Sequence, residues 1–67
     1  MAETRNYIVE GMTCGHCEMS VKEEISEIEG VTEVVADHAT GAVVVTGENF
    51  SDEQVAEAVK EAGYTLV

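Results

Sequence analysis

The 67-residue chain has no proline and no tryptophan, one phenylalanine, two tyrosines and three side chains of Lys or Arg. Each shortage excludes something. Without proline there is no cis-proline of the kind that stands beside a thioredoxin-type thiol pair. Arg5, Lys22 and Lys60 face 14 acidic residues, a formal net charge of −11. Such a surface repels nucleic acid and anionic lipid and suits a partner with a basic docking face, an attraction that salt weakens. No run of 18 or more apolar residues is present, so no membrane insertion is expected. Residues 1–10 hold no apolar signal-peptide core, which sets a cytoplasmic expectation. A chain this short makes one domain, residues 1–67, and buries only roughly 60% of its unfolded surface. It has no room for a deep substrate cavity, and it is not expected to be an enzyme.

What is present is strongly patterned. Residues 4–10 alternate as a strand, Tyr7 and Val9 on one face and Asn6 and Ile8 on the other. Residues 11–15 form a glycine-flanked loop. A helix follows over roughly 16–28, with Cys17, Val21, Ile25 and Ile28 in one apolar stripe and Gly30 as its stop. Residues 31–37 and 42–46 read as two valine-rich strands joined by a turn at Ala39-Thr40-Gly41. Ser51 and Gln54 make a capping box, and Phe50 and Val55 a hydrophobic staple, for a second helix over 52–62 that Gly63 ends. Val55, Ala58, Val59 and Ala62 line its buried face. Residues 64–67 are a last short strand. The order βαββαβ is the α+β, ferredoxin-like arrangement.

Cys14 and Cys17 are the only cysteines. They sit in Gly11-Met12-Thr13-Cys14-Gly15-His16-Cys17, where a strand gives way to a helix. Soft sulfur ligands select soft cations such as Cu(I) and also bind zinc. The partial positive charge of a helix N-terminus favours thiolate over thiol. In a reducing compartment such a pair is a metal or redox site rather than a structural disulfide. Cys-Gly-His-Cys is also the active-site tetrapeptide of protein disulfide isomerases, so a thiol–disulfide oxidoreductase is the rival of a different class. The missing proline and tryptophan, the Gly-Met-Thr before Cys14 and the shortness of the chain speak against it.

The full Gly-Met-Thr-Cys-x-x-Cys segment resembles the heavy-metal-associated domain, a family of small copper chaperones and N-terminal domains of copper-transporting P-type ATPases. So do Tyr7–Glu10 before it, Ile28-Glu29-Gly30-Val31 after the first helix, and Ala62-Gly63-Tyr64. The resemblance implies a four-stranded antiparallel sheet with two helices on one face. It implies Cu(I) held by Cys14 and Cys17 in near-linear geometry, with Zn(II), Ag(I) or Hg(II) accepted in vitro. Transfer would pass through three-sulfur intermediates to a copper-transporting P-type ATPase or a copper-sensing regulator. Met12 would point inward beneath the loop. Tyr64, as in bacterial members, would stand beside the thiols. His16, between the cysteines, could tune the thiols, add a third ligand or merely start the helix as a solvent-facing residue. His38 falls at the metal-loop end of the sheet on an edge strand, where a ligand role is not expected. Met19 reads as a surface residue near the site.

The expected function is thus a cytosolic copper chaperone. The alternatives are an excised metal-binding domain of a copper ATPase and a mercury-binding protein. A start methionine, the absence of a linker and an end just after the last strand favour the free-standing protein. The apo form should be monomeric, and excess copper should bridge dimers through exposed cysteines. Because like charge opposes pairing, that dimerisation should strengthen with salt. Sedimentation across copper ratios and salt concentrations checks this, and monomers under every condition would refute it.

Overall fold

In the computed structural model, which describes residues 2–67, the elements run β1 (Glu3–Glu10), α1 (Gly15–Ser26), β2 (Val31–Ala36), β3 (Ala42–Gly47), α2 (Asp52–Glu61) and β4 (Thr65–Leu66). The strands form one antiparallel sheet in the order β2-β3-β1-β4. Val9, Val34, Val43 and Val45 lie on one face of it and pack with Val21 and Ile25 of α1 and Val55 and Val59 of α2. Residues next to them in sequence point the other way, because strand side chains alternate with period two. Ile8 and Val35 accordingly remain 49% and 54% exposed. Both helices therefore cover a single face, as the alternation predicted.

The boundaries shift for local reasons. The first helix was expected to reach residue 28, but it ends at Ser26. The Ser26 hydroxyl donates to the Lys22 carbonyl at 2.5 Å. Glu27 N–H to Glu24 O and Ile28 N–H to Ile25 O then tighten the last turn to three-residue steps. Ile28 still packs against the core. Asp37, expected in the second strand, instead opens the hairpin turn. Its carboxylate accepts the Ala39 N–H at 2.9 Å and its carbonyl accepts the Gly41 N–H at 2.8 Å.

The capping box at α2 is complete. Gln54 N–H donates to Ser51 Oγ at 3.3 Å, and Ser51 N–H donates to Gln54 Oε1 at 2.9 Å. Next to it, Asp52 accepts from Arg5 at 2.8 Å and from the Tyr7 hydroxyl at 2.7 Å. The Arg5 guanidinium also stands 5.3 Å from the centre of the Phe50 ring. These contacts tie β1 to the start of α2.

Gly30 is where the first half of the fold meets the second. It has φ +96°, and a Cβ built on it would lie 1.9 Å from the Glu48 carbonyl oxygen. That oxygen cannot retreat easily, because Glu48 N–H donates to the Gly30 carbonyl at 2.8 Å. Gly30→Ala combines left-handed strain with a backbone clash, and should cost about 2 kcal/mol or more. Urea unfolding of the apo protein measures it, and an unchanged midpoint would contradict this account.

Candidate metal site

β1 delivers the chain to the site. Gly11, at φ +101°, turns it, and Met12 then plugs into the core at 7% exposure. The methionine packs inward beneath the loop and offers no sulfur at the surface. Cys14 takes the N-cap position of α1 with extended backbone, and its carbonyl accepts the N–H groups of Cys17 at 3.1 Å and Glu18 at 3.3 Å. An N-cap side chain normally satisfies free helix N–H groups. Here it makes no such bond, so the thiol is left facing its neighbour. The Cys14 and Cys17 sulfurs are 3.4 Å apart, and both cysteines are free thiols.

The two differ in cover. Cys14 is exposed; Cys17 is half-buried and continues the stripe of Val21 and Ile25 into the core. The Cys17 thiol is lowered to about 6. The largest cause is the Thr13 backbone N–H, followed by the Tyr64 hydroxyl and the Cys14 thiol. Hydrogen bonds to sulfur favour its charged form. These hydrogen bonds act together on one atom and outweigh the opposing effect of burial. Thr13 Oγ1 adds a longer approach at 3.8 Å. Tyr64 feels the reciprocal effect: its contact with Cys17 raises the phenol above its ordinary value.

Tyr64 stands where strand direction puts it. β4 pairs antiparallel with β1 through Val9↔Leu66 and Glu10↔Thr65, so the chain re-enters beside the loop. The fit is close: a Cβ on Gly11 would lie 3.0 Å from Tyr64 Cδ1. His16 is exposed on the first turn. Among the described residues no group of three or more His, Cys, Asp or Glu side chains is arranged to hold a metal. The two sulfurs of Cys14 and Cys17 are the candidate ligands the structure brings together.

One feature escaped sequence reasoning. Glu18, the residue after Cys17, accepts the His38 backbone N–H at 3.2 Å and also meets the His38 ring at Nδ1. The ion pair raises the imidazole and lowers the carboxyl, and the Cys17 charge adds to the hold on the imidazolium. Glu18 and His38 are twenty positions apart, and only the shared direction of β1 and β2 hints that they meet. The pair fastens the first turn of α1 to the β2–β3 turn.

Residues 6–65 match the heavy-metal-associated domain. Among relatives, copper chaperone CopZ of Staphylococcus aureus is 36% identical over 64 residues, covering 88% of this chain and 90% of that one. A probable cadmium-transporting ATPase of Listeria monocytogenes is 40% identical over 58 residues, but this chain spans only 8% of its length. A solved CopZ metallochaperone superposes with a TM-score of 0.92 at 31% identity, covering 97% of this chain and all of that one.

The lowered Cys17 thiol gives a signed pH dependence. Folded-state stability gained from its ionisation is full above the free-thiol range, about 8.5. It is lost as pH falls through about 6, where protons also begin to compete with any bound cation. Alkylation of Cys17 in a Cys14→Ser background should titrate well below a free thiol. Tyr64→Phe should move that midpoint upward by removing a donor. A midpoint at the free-thiol value, or one indifferent to Tyr64→Phe, would refute the assignment.

Proposed function

The chain belongs to the heavy-metal-associated domain family, and on that premise we propose that it is a cytosolic single-domain carrier of Cu(I). It takes the ion on Cys14 and Cys17 and passes it to a copper-transporting P-type ATPase. The observation that carries this reading is the bare thiol pair, with sulfurs 3.4 Å apart and no third ligand gathered among the described residues. Zinc in a protein-only site wants four tetrahedral ligands. Cu(I) is soft and is satisfied by sulfur alone. Chaperone relatives, matched over 90% or more of their own length, support the carrier reading.

The cover on each sulfur suggests how the ion moves. Thr13 and Tyr64 hold Cys17, so an arriving thiolate meets the ion from the exposed Cys14 side. A partner sulfur bonds to copper as the Cys14–copper bond breaks. A second partner sulfur then displaces Cys17. Copper stays in the +1 state, and protons lost by the incoming thiols pass to the released thiolates or to solvent. Because a two-coordinate ion accepts a third sulfur readily, no free copper need appear. This is ligand exchange, with no catalysed chemical conversion.

A second reading has its own support: the likeness to part of a cadmium-transporting ATPase. It would make this domain a piece of a pump that carries a divalent ion, Cd(II), instead of Cu(I). Anaerobic competition with chromophoric chelators separates the two. One Cu(I) should bind per monomer with sulfur-only ligation by X-ray absorption, well ahead of Zn(II) and Cd(II). The Cys14→Ser/Cys17→Ser variant should lose it. Tyr64→Phe should keep the stoichiometry and change affinity by less than about 1.5 kcal/mol, one hydrogen bond. Full Cu(I) affinity in the double serine variant would sink the proposal, and a preference for Cd(II) would move it to the second reading.

A further inference from the structure

An open groove runs between the two helices. Its volume is about 640 Å³. Glu24 and Glu27 form one wall and Glu53, Glu57 and Glu61 the other, over Ile28 and Ala58. No Lys, Arg or His lines it. The cations are committed elsewhere or lie outside: Arg5 pairs with Glu3 and Asp52, and Lys22 and Lys60 are not in the walls. No ion pair neutralises these five carboxylates among the described residues.

The spacing of this charge is costly. Glu53, Glu57 and Glu61 repeat every four residues on α2, which brings like charges together on one helix face. Interspersing both signs would have avoided that repulsion. An acidic trough with an apolar strip between its walls instead complements a segment with the opposite pattern. α1 runs away from the thiols, which sit at its first turn, and Glu24 and Glu27 lie at its far end. α2 runs back, from Glu53 towards Glu61. The groove therefore runs from the far end of the helix pair along α2 to Glu61, and neither Cys14 nor Cys17 is part of its lining.

We propose that this groove docks a lysine- and arginine-rich amphipathic helix of the protein that exchanges metal with this chain. The eight steps from Glu53 to Glu61 span about 12 Å of helix axis, room for about two turns of a guest helix. The guest's apolar stripe lies on Ile28 and Ala58, and its cations meet the glutamates of both walls. A second copy of this chain is a poor occupant, since it carries the same charge of −11. The identity of the guest's parent rests on the carrier reading; the groove itself does not. Docking there raises the local concentration of the partner's thiols without occupying the site.

The test uses the full chain, labelled with ¹⁵N, and a 14-residue capped helical peptide of lysine, leucine and alanine. Chemical-shift changes should centre on Glu27, Ile28, Glu57 and Ala58, spare Cys14 and Cys17, and weaken as salt rises. Glu27→Gln/Glu57→Gln should weaken binding at least about tenfold, a hot-spot-sized loss. Because those changes relieve like-charge repulsion, the fold should survive, and circular dichroism confirms it. Glu10→Gln/Glu33→Gln removes the same charge from the open sheet face and should change binding less than about twofold if location, not net charge, decides. Equal losses in the two variants would overturn the proposal. So would shifts centred on the thiols, or groove shifts produced by Ca(II) alone or by raising protein concentration alone. Cu(I) titration of the unmodified chain is scored separately: its failure would remove the carrier reading and leave the groove result standing.

Discussion

Cys17 belongs to two structures at once, and the rest of the site depends on that. By helical spacing it is the outermost member of the stripe that continues through Val21 and Ile25 into the core. By position it is on the first turn, where Thr13 N–H, the Tyr64 hydroxyl and the Cys14 thiol all reach its sulfur. A residue anchored on one side and solvated by donors on the other is a fixed point. Cys14 has no such anchor: it is the N-cap, exposed, and caps nothing with its side chain. The candidate site thus pairs a held sulfur with a free one.

Holding that fixed point in place falls to a thin core. The fully buried side chains are Val21, Ile25, Val43, Val45, Val55 and Val59, so the two helices and the sheet share one layer of aliphatic contact. Few of these residues are near the thiols. What brings the site's outlying parts together is strand direction. β1 and β2 both run towards the metal end, while β4 starts there. The first delivers Met12, the second His38, and the third Tyr64. The Glu18–His38 pair and the Tyr64 ring are held at the site by topology rather than by local sequence.

Charge is distributed with a purpose that composition alone does not reveal. Cations are scarce, and Arg5 is spent on joining β1 to the start of α2 through Asp52. The glutamates of the helix pair are left facing one another across an apolar floor. Near the thiols the balance differs: His38 is held by Glu18, and the Cys17 charge adds to what raises its imidazole.

The amino-acid order by itself determined the six elements, the apolar faces of both helices, the Ser51–Gln54 capping box and the prominence of Cys14 and Cys17. These are local: period two, period 3.6, a cap and its partner three residues on, and a four-residue motif all lie within one element or its edge. Even Tyr64 was within reach, because antiparallel pairing of the last strand with the first follows from the element order. Helix and strand ends were less legible, since the Ser26 hydroxyl and the Asp37 carboxylate can each bond a nearby backbone group and so end the regular pattern early. The tertiary structure alone decided which donors converge on the Cys17 sulfur, that Glu18 finds His38 across twenty positions, and that glutamates from two helices form opposite walls of one groove. Each of these is a meeting of residues distant in sequence, and distance in sequence carries no record of distance in space until the valine core has closed.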